Sequence, residues 1–178
     1  MTNTNNDRYA RSSVFLHWII AILIVGLIWL GYYMVEIPRN TPERAYFFNL
    51  HKSLGVVAFV LIVVQIVRHF ADPPPPLPIT VRAWEIKASW MAHWVLYFLM
   101  VAVPLSGYVS SSLSKYGVHV FGLKLPHWGW DNKELRELYV AIHSIAAIAL
   151  IVVVVLHAVA AFKHLLIDKD RVLQRMLP

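Results

Sequence analysis

The chain has 178 residues, of which 58% are hydrophobic and 15% charged, with mean hydropathy +0.58 and a net charge of +6. An apolar share this far above that of soluble domains puts it in the membrane class. With no cysteine, disulfides, thiolate-ligated haem, C-x-x-C-H haem attachment and iron–sulfur clusters are excluded, and the dispersed positive charge gives no nucleic-acid footprint but suits contact with membrane lipid.

Residues 1–13 form a polar lead-in. Four apolar stretches come next, at about 14–35, 45–67, 89–113 and 138–162, each near the roughly 20 residues of a bilayer span. The first is too long for a signal-peptide core, and it runs into Tyr32, Tyr33 and Met34 rather than a small-residue cleavage site, so it reads as a retained helix. The first loop, near Glu36 to Arg44, carries Pro38 and Pro42 and is short. The second carries Asp72, then Pro73 to Pro76 and Pro78, a run that cannot be helical and reads as a stiff spacer. Pro104 and Gly107 lie inside the third stretch, where they kink the helix or let something bulky approach its backbone. The longest loop, 114–137, holds His119, His127, Trp128 and Trp130, and its Lys133-Glu134-Leu135-Arg136-Glu137 segment reads as the polar start of the fourth helix. No internal repeat is visible. The expected fold is all-α: a transmembrane four-helix bundle, one domain spanning residues 1–178.

Lysines and arginines orient the bundle. With the N-terminus inside, the inner side holds Arg8, Arg11, Arg68, Arg82, Lys87, Lys163, Lys169, Arg171 and Arg175, and the outer side Arg39, Arg44, Lys115, Lys124, Lys133 and Arg136. The excess favours cytoplasmic termini. Tryptophans 18, 84, 90, 94, 128 and 130 lie near span ends, as in an aromatic belt.

Each stretch carries a histidine about one turn inside its end: His17, His51, His93, and in the fourth both His143 and His157. An ionisable group at membrane depth is costly and needs a partner. A lone one is ordinarily hydrogen-bonded to a neighbouring helix. Five at matching depths, with no cysteine or carboxylate beside them, point instead to metal held by imidazole alone, and in a helix bundle to haem iron. Given the alternation of the helices, they fall into an outer pair, His51 and His143, and an inner trio, His17, His93 and His157. His143 and His157 are fourteen residues apart, hence only about 40° apart around the helix and roughly 21 Å along it. Both then face the bundle interior near opposite membrane surfaces, which suits two stacked haems. A zinc or copper site would gather its ligands at one level.

Several segments together resemble the bacterial cytochrome b561 family of compact dihaem inner-membrane proteins. They are Leu16-His17-Trp18, Asn49-Leu50-His51, Ala92-His93, Pro104-Leu105-Ser106-Gly107, Phe121-Gly122-Leu123-Lys124-Leu125-Pro126, and the His143, His157 pair. The resemblance covers nearly the whole chain and keeps its order. It implies two haem b groups ligated by His17, His51, His143 and His157, and leaves His93 beside a haem or a quinone, or as an alternative ligand. It also implies exchange with ubiquinone in the bacterial inner membrane. Some members are similar to superoxide:ubiquinone oxidoreductases, which take an electron from superoxide as a periplasmic donor; others resemble anchor subunits relaying electrons for a separate dehydrogenase or hydrogenase.

A quinone site needs an apolar slot and a proton donor. His164 lies seven residues after His157, about 20° away around the same helix and just past the membrane edge. It matches a histidine of the superoxide-oxidase-like members and is the quinone-site candidate. Adjacent Lys163 reads as an interfacial anchor, with orientation of an anionic semiquinone the alternative, and His69 as an interface residue. Lys52, next to His51, is the candidate for contact with the outer haem or with superoxide, a small anion that positive charge would steer.

Overall fold

The computed structural model describes residues 8–73, 75, 76, 78, 80–126 and 129–177. The polar lead-in at 1–7, parts of the proline run, and His127 and Trp128 lie outside them. Four long helices make up the fold: α1 (Arg11–Glu36), α2 (Pro42–Ala71), α3 (Ala83–Ser112) and α4 (Lys133–Lys163). All four are long and apolar enough to cross a membrane. Large apolar side chains such as Phe15, Trp29, Phe98 and Ile145 point outward, as a lipid-facing surface requires.

All four helices begin earlier than the apolar stretches suggest, because hydropathy marks only the lipid-facing turns, and in α2, α3 and α4 capping groups mark the start. Thr41 accepts the Arg44 N–H, with Pro42 in the first turn of α2. The Glu85 carboxylate accepts the Arg82 N–H at the start of α3. Asn132 accepts the Leu135 N–H, so α4 does open on the Lys133 segment. Helix α2 ends at Ala71, just before the proline run, and α3 continues unbroken through Pro104.

Helix α3 packs on α4 and α2, and α2 on α1. One buried cluster joins all four: Ile20 and Ile24, Ala58 and Ile62, Leu96 and Leu99, and Leu150. Leu150 lies seven residues from both His143 and His157, so this apolar layer separates the two histidine levels.

Beyond the helices, residues 113–132 contain a two-stranded hairpin that the sequence reading missed: β1 (His119–Val120) pairs antiparallel with β2 (Leu123–Lys124). Its turn residues Phe121 and Gly122 both have positive φ, 48° and 87°, as a type I′ turn demands. Buried Ser53 anchors it to α2, accepting the Phe121 N–H at 2.9 Å while its hydroxyl donates to the Asn49 carbonyl at 2.8 Å. At the opposite, terminal end, where α1 begins and α4 ends, the Trp18 indole N–H donates to the Met176 carbonyl at 2.7 Å. Buried Arg175 donates to the Pro75 carbonyl at 3.1 Å.

Candidate functional site

The histidines meet across the bundle in the levels expected from their depths. At the hairpin end, the His51 and His143 rings have centroids 6.3 Å apart. At the terminal end, His17 and His157 are 6.4 Å apart. Two imidazoles that held one metal ion between them, with metal–nitrogen bonds of about 2.0 Å and roughly 1.15 Å from ring centre to nitrogen, would stand about 6.3 Å apart. Both pairs have that spacing. His93 is closer to His157, at 5.3 Å, and its Nδ1 lies 2.7 Å from the Ser89 carbonyl one turn back. His93 therefore already has a hydrogen-bond partner on its own helix.

The hairpin-end pair borders a cavity of about 760 Å³ lined by all four helices, within the range of cofactor-sized sites. Its walls are apolar, as a porphyrin face needs, and two glycines adjoin its histidines. A Cβ on Gly107 would stand 3.1 Å from His143 Nδ1, and one on Gly31 3.4 Å from His51 Cε1. His143 Nδ1 donates to the Val103 carbonyl at 2.8 Å, which fixes the tautomer and leaves Nε2 for a metal. That carbonyl lies one residue before Pro104, so the Pro104–Gly107 segment both holds the ring and makes room for it. His51 Nδ1 is buried and has no hydrogen-bond partner among the described residues. Donor type, spacing, cavity and cleared backbone all fit a bis-imidazole haem.

A family described as prokaryotic cytochrome b561 matches this chain over residues 8–178. The chain belongs to that family. Among curated relatives, cytochrome b561 homolog 2 of Escherichia coli strain K12 is 33% identical over 184 residues, covering 99% of this chain and 94% of the relative. A protein described as a probable superoxide oxidase, CybB of Yersinia pestis, is 27% identical and covers 97% of each. Cytochrome b561 homolog 1 of Escherichia coli strain K12 is 28% identical, covering 97% of this chain and 98% of the relative. The chain is thus a multi-pass bacterial membrane protein of haem b electron transfer.

Within this cytochrome b561 frame the remaining candidates separate. Lys52 lines the cavity beside His51, with Nζ 3.5 Å from the Gly117 carbonyl. Arg44, not singled out from sequence, lines the same cavity; its guanidinium stacks on Phe48 and donates to the Val35 and Ile37 carbonyls. His69 packs 5.3 Å from the Tyr97 ring. Lys163 bridges two carboxylates, Glu85 at 2.7 Å and Asp168 at 2.5 Å, and so is more than an interfacial anchor. His164 is held by carboxylates: its Nδ1 lies 2.7 Å from Asp170 and 3.2 Å from Asp168. Asp170 was invisible to helical periodicity because it lies past the end of α4. Gly107 carried a signal, a small residue three after a proline in a membrane helix, but its partner His143 could not be named.

Proposed function

We propose that this protein carries two haem b groups, ligated by His51 with His143 and by His17 with His157. It passes electrons from a one-electron donor at the periplasmic face, with superoxide the candidate, to ubiquinone at the cytoplasmic face. The observation that carries the reading is the pair of imidazole–imidazole separations, 6.3 and 6.4 Å, at opposite ends of one bundle. The charge count supports cytoplasmic termini, which puts the hairpin end outside. The chain is read as one domain, since a single apolar layer ties all four helices together.

Haem supplies one-electron redox chemistry, and the protein's residues govern access and protonation. His51, His143, His17 and His157 hold and orient. His93, at van der Waals range of His157, packs that ligand in place. Lys52 offers a cation at the rim of the outer cavity, for a haem carboxylate or an incoming anion. His164 donates to the quinone oxygen at the terminal end. Superoxide as donor is supported by the relative described as a probable superoxide oxidase.

Stopped-flow mixing of superoxide with the oxidised, purified protein and ubiquinone tests the whole scheme. Haem reduction, then reoxidation on adding quinone, is expected. Absence of b-type absorbance refutes the haem assignment. A protein reduced only when a dehydrogenase subunit is added is a relay anchor instead.

A further inference from the structure

Quinone reduction needs protons as well as electrons, and their source is inferred here on the reading that quinone docks beside His164. Helix α4 ends in an unusual way. Its last turn widens into a π turn over His164–Asp168, a rare form concentrated at functional sites. Lys169 then takes a left-handed conformation, φ 52°, and the N–H groups of Lys169 and Asp170 both return to the His164 carbonyl. Lysine has no intrinsic preference for that region, so the reversal is imposed by contacts that the next residues make. It swings Asp170 back over the imidazole six residues earlier.

The contact is specific. Asp170 Oδ2 meets His164 Nδ1 at 2.7 Å, and Oδ1 accepts the Val172 N–H at 3.0 Å. The two side chains are only 7% and 13% exposed. A carboxylate so deeply withdrawn from water is tolerated only with a partner, and the His164 imidazole N–H is the one it faces. The neighbouring Asp168 is committed elsewhere: its Oδ2 also takes the Lys163 ammonium, which Glu85 holds from α3. On its outer side Asp170 lines a polar pocket of about 250 Å³ with Thr80, Arg82, Glu85, Asp168 and Lys169.

We propose that His164 and Asp170 form an imidazole–carboxylate dyad that delivers protons to bound quinone, with Asp170 the positioning residue. Quinone becomes quinol by gaining two electrons and two protons. The electrons come singly through the bundle, whose middle layer is apolar and carries no protons. Each proton therefore enters at the terminal end. Asp170 holds the Nδ1–H, which leaves Nε2 as the exchanging nitrogen. The Nε2–H bond of the imidazolium breaks as an O–H bond forms on the quinone. The neutral ring, still anchored through Nδ1, regains its Nε2 proton from water at the terminal end, and the cycle runs twice per quinol. An aspartate that orients a histidine in this way acts without itself becoming protonated.

The test compares His164→Ala and Asp170→Asn in the haem-loaded protein. Asp170→Asn is isosteric and keeps an oxygen for the Val172 N–H. Two readouts are taken: the rate of reoxidation by a short-chain ubiquinone, and the His164 tautomer from nitrogen-15 NMR of the oxidised protein without quinone. Lys163, Asp168, Lys169 and Arg171 on the same chain end, with Arg82 and Glu85 from α3, are unchanged in the variant. The expected result for Asp170→Asn is full haem content, loss of the fixed Nδ1–H tautomer, and reoxidation about 10- to 100-fold slower, the range seen when partners of functional histidines are removed. A wild-type tautomer and rate overturn the dyad, as does haem loss in Asp170→Asn. Wild-type reoxidation in His164→Ala overturns the underlying quinone site, whatever Asp170→Asn does.

Discussion

Replacing Gly107 by alanine tests the hairpin-end site with the smallest perturbation the structure offers. The new methyl would lie 3.1 Å from His143 Nδ1 and 3.2 Å from Cε1, a few tenths of an ångström inside ordinary van der Waals contact. Neither α3 backbone nor methyl can yield, so the imidazole must shift. That shift strains the Nδ1–H bond to the Val103 carbonyl, now 2.8 Å. Overpacking of this kind typically costs about 1–3 kcal/mol, and a weakened hydrogen bond adds up to about 1 kcal/mol. Together they predict haem affinity at this end falling by about 10- to 100-fold or more. Two companions calibrate it. Gly31→Ala meets His51 Cε1 at 3.4 Å, an ordinary contact, and should lower affinity little. Gly26→Ala meets nothing within 4 Å and should be neutral. Haem titration into the purified apoprotein, with pyridine haemochrome stoichiometry, gives the ranking Gly107, then Gly31, then Gly26. Unimpaired loading in Gly107→Ala, or a stronger defect in Gly26→Ala, would refute the idea that His143 is clamped against a cleared helix face.

The same geometry sets the outcome of other substitutions. His143→Ala and His157→Ala should each lose one haem with distinct spectral changes, and a variant retaining two haems defeats that ligand assignment. His17→Ala should reproduce His157→Ala, whereas His93→Ala should keep both haems, since its ring stands 5.3 Å from His157 and its Nδ1 meets Ser89; the reverse pattern in haemochrome analysis exchanges the two. Ser53→Ala removes the buried hydroxyl that accepts the Phe121 N–H and should cost about 1–3 kcal/mol. Limited proteolysis should then cut the hairpin faster than in wild type, and an unchanged digestion rate would show that Ser53 does not anchor it.

Much of this protein is decided by local sequence. Span length comes from apolar runs against bilayer thickness, and helix starts from Thr41 and Asn132 as caps. The depth of each histidine is fixed by counting residues from a helix end. The fourteen-residue spacing of His143 and His157 alone puts both on one face, because helical geometry is the same in any context. Packing decides the rest. Which inner histidine stands 6.4 Å from His157 and which 5.3 Å depends on how α1 and α3 are rotated against α4, and rotation is set by side chains on other helices. The same holds for Gly107, whose missing side chain matters only because His143 arrives opposite it. Asp170 reaches His164 through a π turn and a left-handed lysine, departures from helical periodicity that no periodic pattern can encode. The hairpin is held because Ser53, on α2 and far earlier in the chain, receives its turn N–H. Periodicity and capping act within a few residues and are legible along the chain; ring separations, cleared faces and returning carboxylates are made between elements and take their values only when the helices have packed.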